Sequence, residues 1–241
     1  MRHAGALLGH ALLPQTCVLC SLPSDDKPVC GACTMDLPRL TGQQCPRCAL
    51  PLQANANGIQ VACPDCAHHL PAFDTASAVW SYGFPIDTLI QDFKYGHHLY
   101  LAGFFGRHLA QTLMNQWDIA PANAQPDLII PMPLHPNRLK DRGFNQAAEI
   151  ARHMAKHLGL PWSSDALIRL YDTAPQAGLR REERWANLRG AFSCPKPLSG
   201  ARVLLVDDVL TTGASLSACA EVLRHAGATR IDVAVLARTP E

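Results

Sequence analysis

At 241 residues, and at roughly 100 to 200 residues per domain, the chain holds one large domain or two modest ones and is long enough to bury a core. Its 48% apolar and 17% charged residues are those of an ordinary globular protein and exclude disordered, collagen-like and mucin-like architectures. With 21 basic against 20 acidic residues, bulk charge names no partner, so any contact with phosphate or nucleic acid has to come from local basic clusters.

The first segment, MRHAGALLGHALLPQTC, pairs a basic residue with a short apolar stretch in the manner of a signal peptide. His10 interrupts it and no small-x-small cleavage site follows. No run approaches the roughly 20 apolar residues of a membrane span. A cytoplasmic protein with reduced, metal-binding thiols is expected.

Eight of the ten cysteines lie in CxxC pairs near this end: Cys17 and Cys20, Cys30 and Cys33, Cys45 and Cys48, Cys63 and Cys66. Zinc takes four soft ligands in a tetrahedron, and one CxxC turn supplies half a site. Eight thiolates therefore predict two structural zinc sites in a module spanning residues 1–72. The simplest pairing joins the first two knuckles and the last two, and an interleaved pairing fits the spacing as well. Redox CxxC motifs occur singly on a thioredoxin-like pattern, which is absent. With four sulfurs per ion no coordination position is open, so these metals should staple a small domain and catalyse nothing.

Past Pro71 the cysteine pairs stop and ordinary periodicity begins, which predicts a second, α/β domain over residues 73–241. Strands are expected at Ala76 to Tyr82, Asp127 to Met132, around Leu167 and Ile168, at Val203 to Val206 and in IDVAVLA. Helical spacing covers Ile86 to Lys94, Tyr100 to Gln116, the FNQAAEIARHMAKHLGL stretch stopped by Gly159, and about Ser215 to Ala226. Strands alternating with helices imply βαβ units and a mostly parallel sheet, whose ligands bind at the carboxyl ends of the strands.

Two such ends carry chemistry. In VLLVDDVLTTGAS, backbone N–H groups from Thr211, Thr212, Gly213, Ala214 and Ser215 can cradle a phosphate where a helix begins, aided by three hydroxyls. Asp207 and Asp208 stand where carboxylates could accept hydrogen bonds from a ribose diol. This segment resembles the phosphoribosyl pyrophosphate (PRPP) signature of type I phosphoribosyltransferases. The resemblance implies that the acid pair holds the ribose hydroxyls with Mg²⁺ and the loop holds the 5′-phosphate. In the 6-oxopurine enzymes of that family an acid stands in place of Thr211 and a lysine in place of Ala214, so support for hypoxanthine or guanine chemistry is lost.

At the other end, Arg138, Lys140 and Arg142 form a basic cluster on an exposed, proline-rich turn, suited to neutralising a pyrophosphate. The pattern IIPMPLHPNRLKDRGFNQA resembles the ComF family of bacterial proteins, also called the GntX or competence protein F family. FKYG at Phe93 to Gly96, the cysteine-rich start and TAPQAGLRREERWANLRGAF agree with it. The resemblance implies a double zinc ribbon joined to a phosphoribosyltransferase domain, and a part in DNA uptake and natural transformation, handling single-stranded DNA beside a helicase-like partner.

The long polar loop from Tyr171 to Gly190, with Arg180, Arg181 and Arg184, suits a lid over a phosphorylated ligand, a track for a nucleic-acid backbone, or a solvated loop. No base pocket is recognisable, so an active salvage phosphoribosyltransferase would have an unnamed acceptor. Phe144, Trp162, Tyr171 and Trp185 are not spaced as a stacking platform.

Overall fold

A computed structural model describes residues 16–52, 62–96, 98–118, 125–172, 188 and 190–240. The N-terminal region is built of CxxC turns and two short helices, α1 (Gly31–Asp36) and α2 (Pro64–His68). Cys30 caps α1 through its own sulfur, which accepts from the Cys33 N–H. In α2, Pro64 occupies the first turn, where the missing N–H costs nothing.

Beyond it run β1 (Thr75–Ser81), α3 (Ile86–Tyr95), α4 (Leu101–Trp117), β2 (Leu128–Pro131), α5 (Pro136–Arg142), α6 (Gln146–Leu158), β3 (Ile168–Arg169), β4 (Phe192–Ser193), β5 (Arg202–Leu210), α7 (Ala214–His225) and β6 (Arg230–Arg238). Four strands form one sheet in the order β1-β6-β5-β2, and every pairing is parallel. Residues 161–163 extend it past β2, with Ile129 N–H donating to Pro161 O and Ser163 N–H to Ile129 O, each at 3.0 Å.

Alternation along the strands decides the two layers. On β5, Val203 and Leu205 face one side together with α7; Leu204 and Val206 face the other, under α3, α4 and α6. Helices α4 and α6 cross closely at Gly106, where a Cβ would stand 2.7 Å from His153 Cβ and 3.0 Å from Ile150 O. Any side chain there would force the helices apart.

The cysteine-rich region straddles the sheet edge. Cys17, Val29 and Leu37 pack into the layer of Trp80 and α4, whereas Cys45, Cys48, Leu50, Cys63 and Cys66 pack into the layer of Phe73, Leu210 and α7. The first half is stitched to β1 by Leu40 N–H on Val79 O at 3.0 Å and Ser81 N–H on Pro38 O at 2.8 Å. For the second half, Arg47 Nη1 donates to Asp74 O at 2.8 Å, and the Asp74 carboxylate takes Ile231 N–H and Arg224, each at 2.8 Å.

Three expectations change in the structure. The Leu167–Ile168 strand becomes β3, which pairs antiparallel with β4 outside the parallel sheet, because Leu170 N–H reaches Ala191 O and closes a two-stranded ribbon. The proline-rich turn is the helix α5, since Pro136 sits at its first position and the His135 ring accepts from Asn137 N–H. Strand β5 runs on through both acids to Leu210, so Asp207 and Asp208 lie in the strand instead of after it.

Candidate functional site: an acid pair beside a phosphate loop

The eight paired cysteines fall into two sets of four, Cys17, Cys20, Cys30, Cys33 and Cys45, Cys48, Cys63, Cys66, with the ligand atoms of each set within 4.8 Å of one another. This is the sequential pairing of knuckles. All are free thiols, with Cys20 and Cys30 sulfurs 3.8 Å apart and those of Cys48 and Cys63 3.6 Å apart, too far for a disulfide and right for a shared tetrahedral ion. Burial opposes thiolate formation, yet backbone donors prevail at one cysteine of each set. Cys30, Cys20 and Leu19 bring Cys17 down to about 6, and Cys63, Cys48 and Arg47 bring Cys45 down to about 7. Both sets fit zinc, and neither leaves room for a substrate on the metal.

At the carboxyl end of β5, the chain enters Thr211–Ser215 and then α7. Gly213 caps that helix at φ +76°, a left-handed conformation that other residues adopt only with strain; its Cβ position meets nothing closer than 3.4 Å, so backbone conformation and not crowding requires glycine. Thr211 and Thr212 are exposed, Ser215 is half-buried, and the loop with Asp207 and Val209 lines a pocket of about 60 Å³, on the scale of one phosphate group.

Asp208 is buried and paired with Lys94 Nζ at 2.9 Å. Lys94, in the last turn of α3, was legible only as part of FKYG, with no role attached. Although burial disfavours its charge, Asp208 and then Asp207 hold its pKa above the usual lysine value. Burial, then the neighbouring Asp208 charge, pushes Asp207 up to about 7, while Lys94 and Arg169 pull the other way. Arg169, on β3, is a second cation, one that no motif singled out.

Of the basic residues on α5, Arg142 is close enough to Lys94, and Arg138 to Arg169, for their charges to act on them. Arg142 donates to Gln146 Oε1 and to the Tyr95 hydroxyl at 3.4 Å, and its guanidinium lies 5.1 Å from the Tyr95 ring centre. Arg138 pairs with Asp172 at 3.3 Å, and Asn137 donates to the same carboxylate. Lys140 is exposed. The turn after α5 is held by Asn145, whose Oδ1 accepts from Ala147 and Ala148 and whose Nδ2 donates to Met132 O at 3.0 Å. Sequence order thus becomes one constellation: an acid pair, a phosphate-sized loop and cations on three elements. Arg180, Arg181 and Arg184 lie outside the described residues.

Arg152, Lys156 and Trp162 share an open concavity of about 420 Å³. Spacing along the chain hides this cluster, because α6 and the segment behind it meet only in the fold. No described helix is long and apolar enough to cross a membrane.

The chain matches two families in order along its length: the double zinc ribbon domain over residues 8–71 and the phosphoribosyl transferase domain over residues 144–241. It is 30% identical over 229 residues to the DNA utilization protein YhgH of Escherichia coli (strain K12), covering 94% of this chain and 98% of that protein. Competence protein F of Haemophilus influenzae is 33% identical over 200 residues, covering 80% and 84%. Competence protein ComFC of Streptococcus pneumoniae is 24% identical over 223 residues, covering 90% of each. Among solved structures, a purine phosphoribosyltransferase from Pyrococcus horikoshii is 21% identical with a TM-score of 0.36, covering 58% of this chain and 74% of that one. The allosteric regulatory enzyme of purine biosynthesis is 24% identical with a TM-score of 0.35, and the chain spans only 25% of it.

Proposed function

Because the chain belongs to the family of competence protein F and the DNA utilization protein YhgH, we propose that it binds PRPP with Mg²⁺ and acts in handling incoming single-stranded DNA in the cytosol. The observation that carries the ligand is the phosphate-sized pocket at the start of α7, lined by Asp207, whose neighbour in the strand, Asp208, is paired with Lys94. Backbone N–H groups and the helix dipole favour an anion there. The acid pair suits a ribose diol and a divalent cation, which when bound would neutralise diphosphate charge. Arg138, Lys140 and Arg142 are the groups for the pyrophosphate arm.

Calorimetric titration of the zinc-loaded protein with Mg²⁺–PRPP tests this. Micromolar binding is expected, and a folded protein that takes up no PRPP sinks the proposal. Arg142→Ala should weaken PRPP about tenfold, the loss of roughly one charge-assisted contact, and leave ribose 5-phosphate affinity unchanged. Equal losses for both ligands would place Arg142 outside the pyrophosphate arm.

A second activity, transfer of the ribosyl group to a nitrogen nucleophile, is favoured by the acids and cations gathered at one strand end, which could steady an oxocarbenium-like transition state. Pyrophosphate release measured with a panel of nucleobases decides it; the absence of release with every acceptor in the panel leaves the binding role alone.

For DNA, the concavity of Arg152, Lys156 and Trp162 offers two cations, Arg152 already paired with Glu149 at 2.7 Å, and one ring on which a base could stack. The triple change Arg152→Ala, Lys156→Ala, Trp162→Ala should weaken binding of an oligothymidylate roughly tenfold and flatten its salt dependence by about one unit of slope. An unchanged slope would remove this face from consideration.

A further inference from the structure

The two four-cysteine sites are unequal in burial and in what they touch. In the first, Cys20 is exposed and Cys30 and Cys33 are half-buried; in the second, all four cysteines are buried. The first docks on the edge strand β1, whereas the second shares one cleft of about 410 Å³ with the phosphate loop, where Cys48 and Cys66 face Leu210 to Gly213 and Arg238.

Arg238, the last residue of β6, spans that cleft with only 7% of its surface exposed. Its Nε donates to Cys48 O at 2.9 Å, inside the zinc knuckle, and its Nη1 donates to Leu210 O at 3.2 Å, the residue that delivers the chain into Thr211–Ser215. Thr239, held by the same Nη1, returns its own N–H to Leu210 O at 3.1 Å. Among the described residues no carboxylate forms an ion pair with this guanidinium. A buried guanidinium bonded only to neutral oxygens is costly without a nearby anion. Four thiolates around a divalent ion carry a net double negative charge, and the knuckle whose carbonyl Arg238 grips would supply it.

We propose that Arg238 makes the second metal site a positioning device for the phosphate loop: metal held by Cys45, Cys48, Cys63 and Cys66 fixes the Cys48 carbonyl and balances the Arg238 charge, and Arg238 in turn fixes Leu210. Among the described residues the first site has no such path. That the loop takes a phosphate rests on the function proposed above; the mechanical tie does not.

The test uses the full zinc-loaded chain. Metal release to a colorimetric chelator should be biphasic, the fast phase from the exposed first site. Arg238→Gln should speed the slow phase about tenfold and raise amide exchange across Thr211–Ser215 by a similar factor, with the fast phase and the β1 amides unchanged. Arg238→Lys keeps the charge but can reach only one carbonyl, so it should restore metal retention and leave the loop amides fast. Unaltered slow release and loop exchange in Arg238→Gln overturns the proposal, as does equal acceleration of both phases and of the β1 amides, which is ordinary destabilisation. If Arg238→Gln does not fold, Arg238→Lys is judged alone: fast loop amides with slow metal release support the tie, and wild-type loop exchange overturns it. Titration with Mg²⁺–PRPP separates the two ideas, since a wild-type protein that binds none rejects the ligand while the release and exchange results stand.

Discussion

Changing Asp207 and Asp208 together to asparagine should weaken Mg²⁺–PRPP at least 100-fold in calorimetry, the largest binding effect expected anywhere in the chain. Each carboxylate offers charge-assisted hydrogen bonds of about 1.5–3 kcal/mol, and both lose their hold on a divalent cation. The single change Asp207→Asn serves as the folded control, because it removes a crowded charge and keeps the Lys94–Asp208 pair. Its stability at pH 8 should equal or exceed that of the parent. The sign follows from the raised pKa of Asp207, about 7: the folded chain holds that proton more tightly than the unfolded chain, so this group's contribution to stability falls as pH rises from the usual carboxylate range through 7. Binding runs in the opposite direction. A cation and diol need Asp207 ionised, so affinity should climb with pH up to about 7, level off above it, and be accompanied by proton release measurable in buffers of different ionisation enthalpy. A flat profile together with intact binding in the double variant would remove the acid pair from the site.

Much of this site was legible because its parts are local in sequence. The acid pair, Thr211–Ser215 and the strand before them are consecutive, and the phosphate cradle is a property of one strand-to-helix turn. The same holds for the CxxC turns, where each pair of sulfurs is set by a single knuckle; which knuckles share an ion is a long-range fact, supplied by the packing of Cys63 N–H on Cys45 Sγ at 3.4 Å and Cys30 N–H on Cys17 Sγ at 3.3 Å. Lys94 and Arg238 were out of reach for that reason. Lys94 is 114 residues from the carboxylate it meets, and Arg238 is 190 residues from Cys48 and 28 from Leu210. Lys94 stood in the FKYG stretch with no partner attached and Arg238 was unmarked, since a lysine near a helix end and an arginine closing a strand are ordinary surface features. Helix α5 was hidden by its prolines, which read as a turn although Pro136 is where a helix tolerates proline best. The antiparallel β3–β4 ribbon was hidden by its size, two residues a side, too short for any periodicity.

Replacing Lys94 by methionine is expected to cost about 3 kcal/mol of folding stability, read from urea unfolding at pH 8. Met fills the apolar part of the lysine stem, so packing against α3's neighbours is kept and the change isolates the charge. What remains is Asp208, with its side chain 7% exposed and its cation gone, beside Asp207. Breaking such a pair from one side is far more damaging than removing both charges, because a buried carboxylate is left without compensation. The double variant Lys94→Met, Asp208→Asn should therefore recover most of the loss, although Asp208→Asn alone should also destabilise by stranding Lys94. The penalty in Lys94→Met should shrink toward pH 5, where the acid pair can take up a proton; in the parent, by contrast, the raised Lys94 pKa keeps the lysine's contribution in place at every pH below the ordinary lysine value, to be lost only as pH rises beyond it. A single variant as stable as the parent at pH 8, or a double variant no better than the single, would mean that water reaches Asp208 and that the pair orients the acids for a cation without holding the fold together.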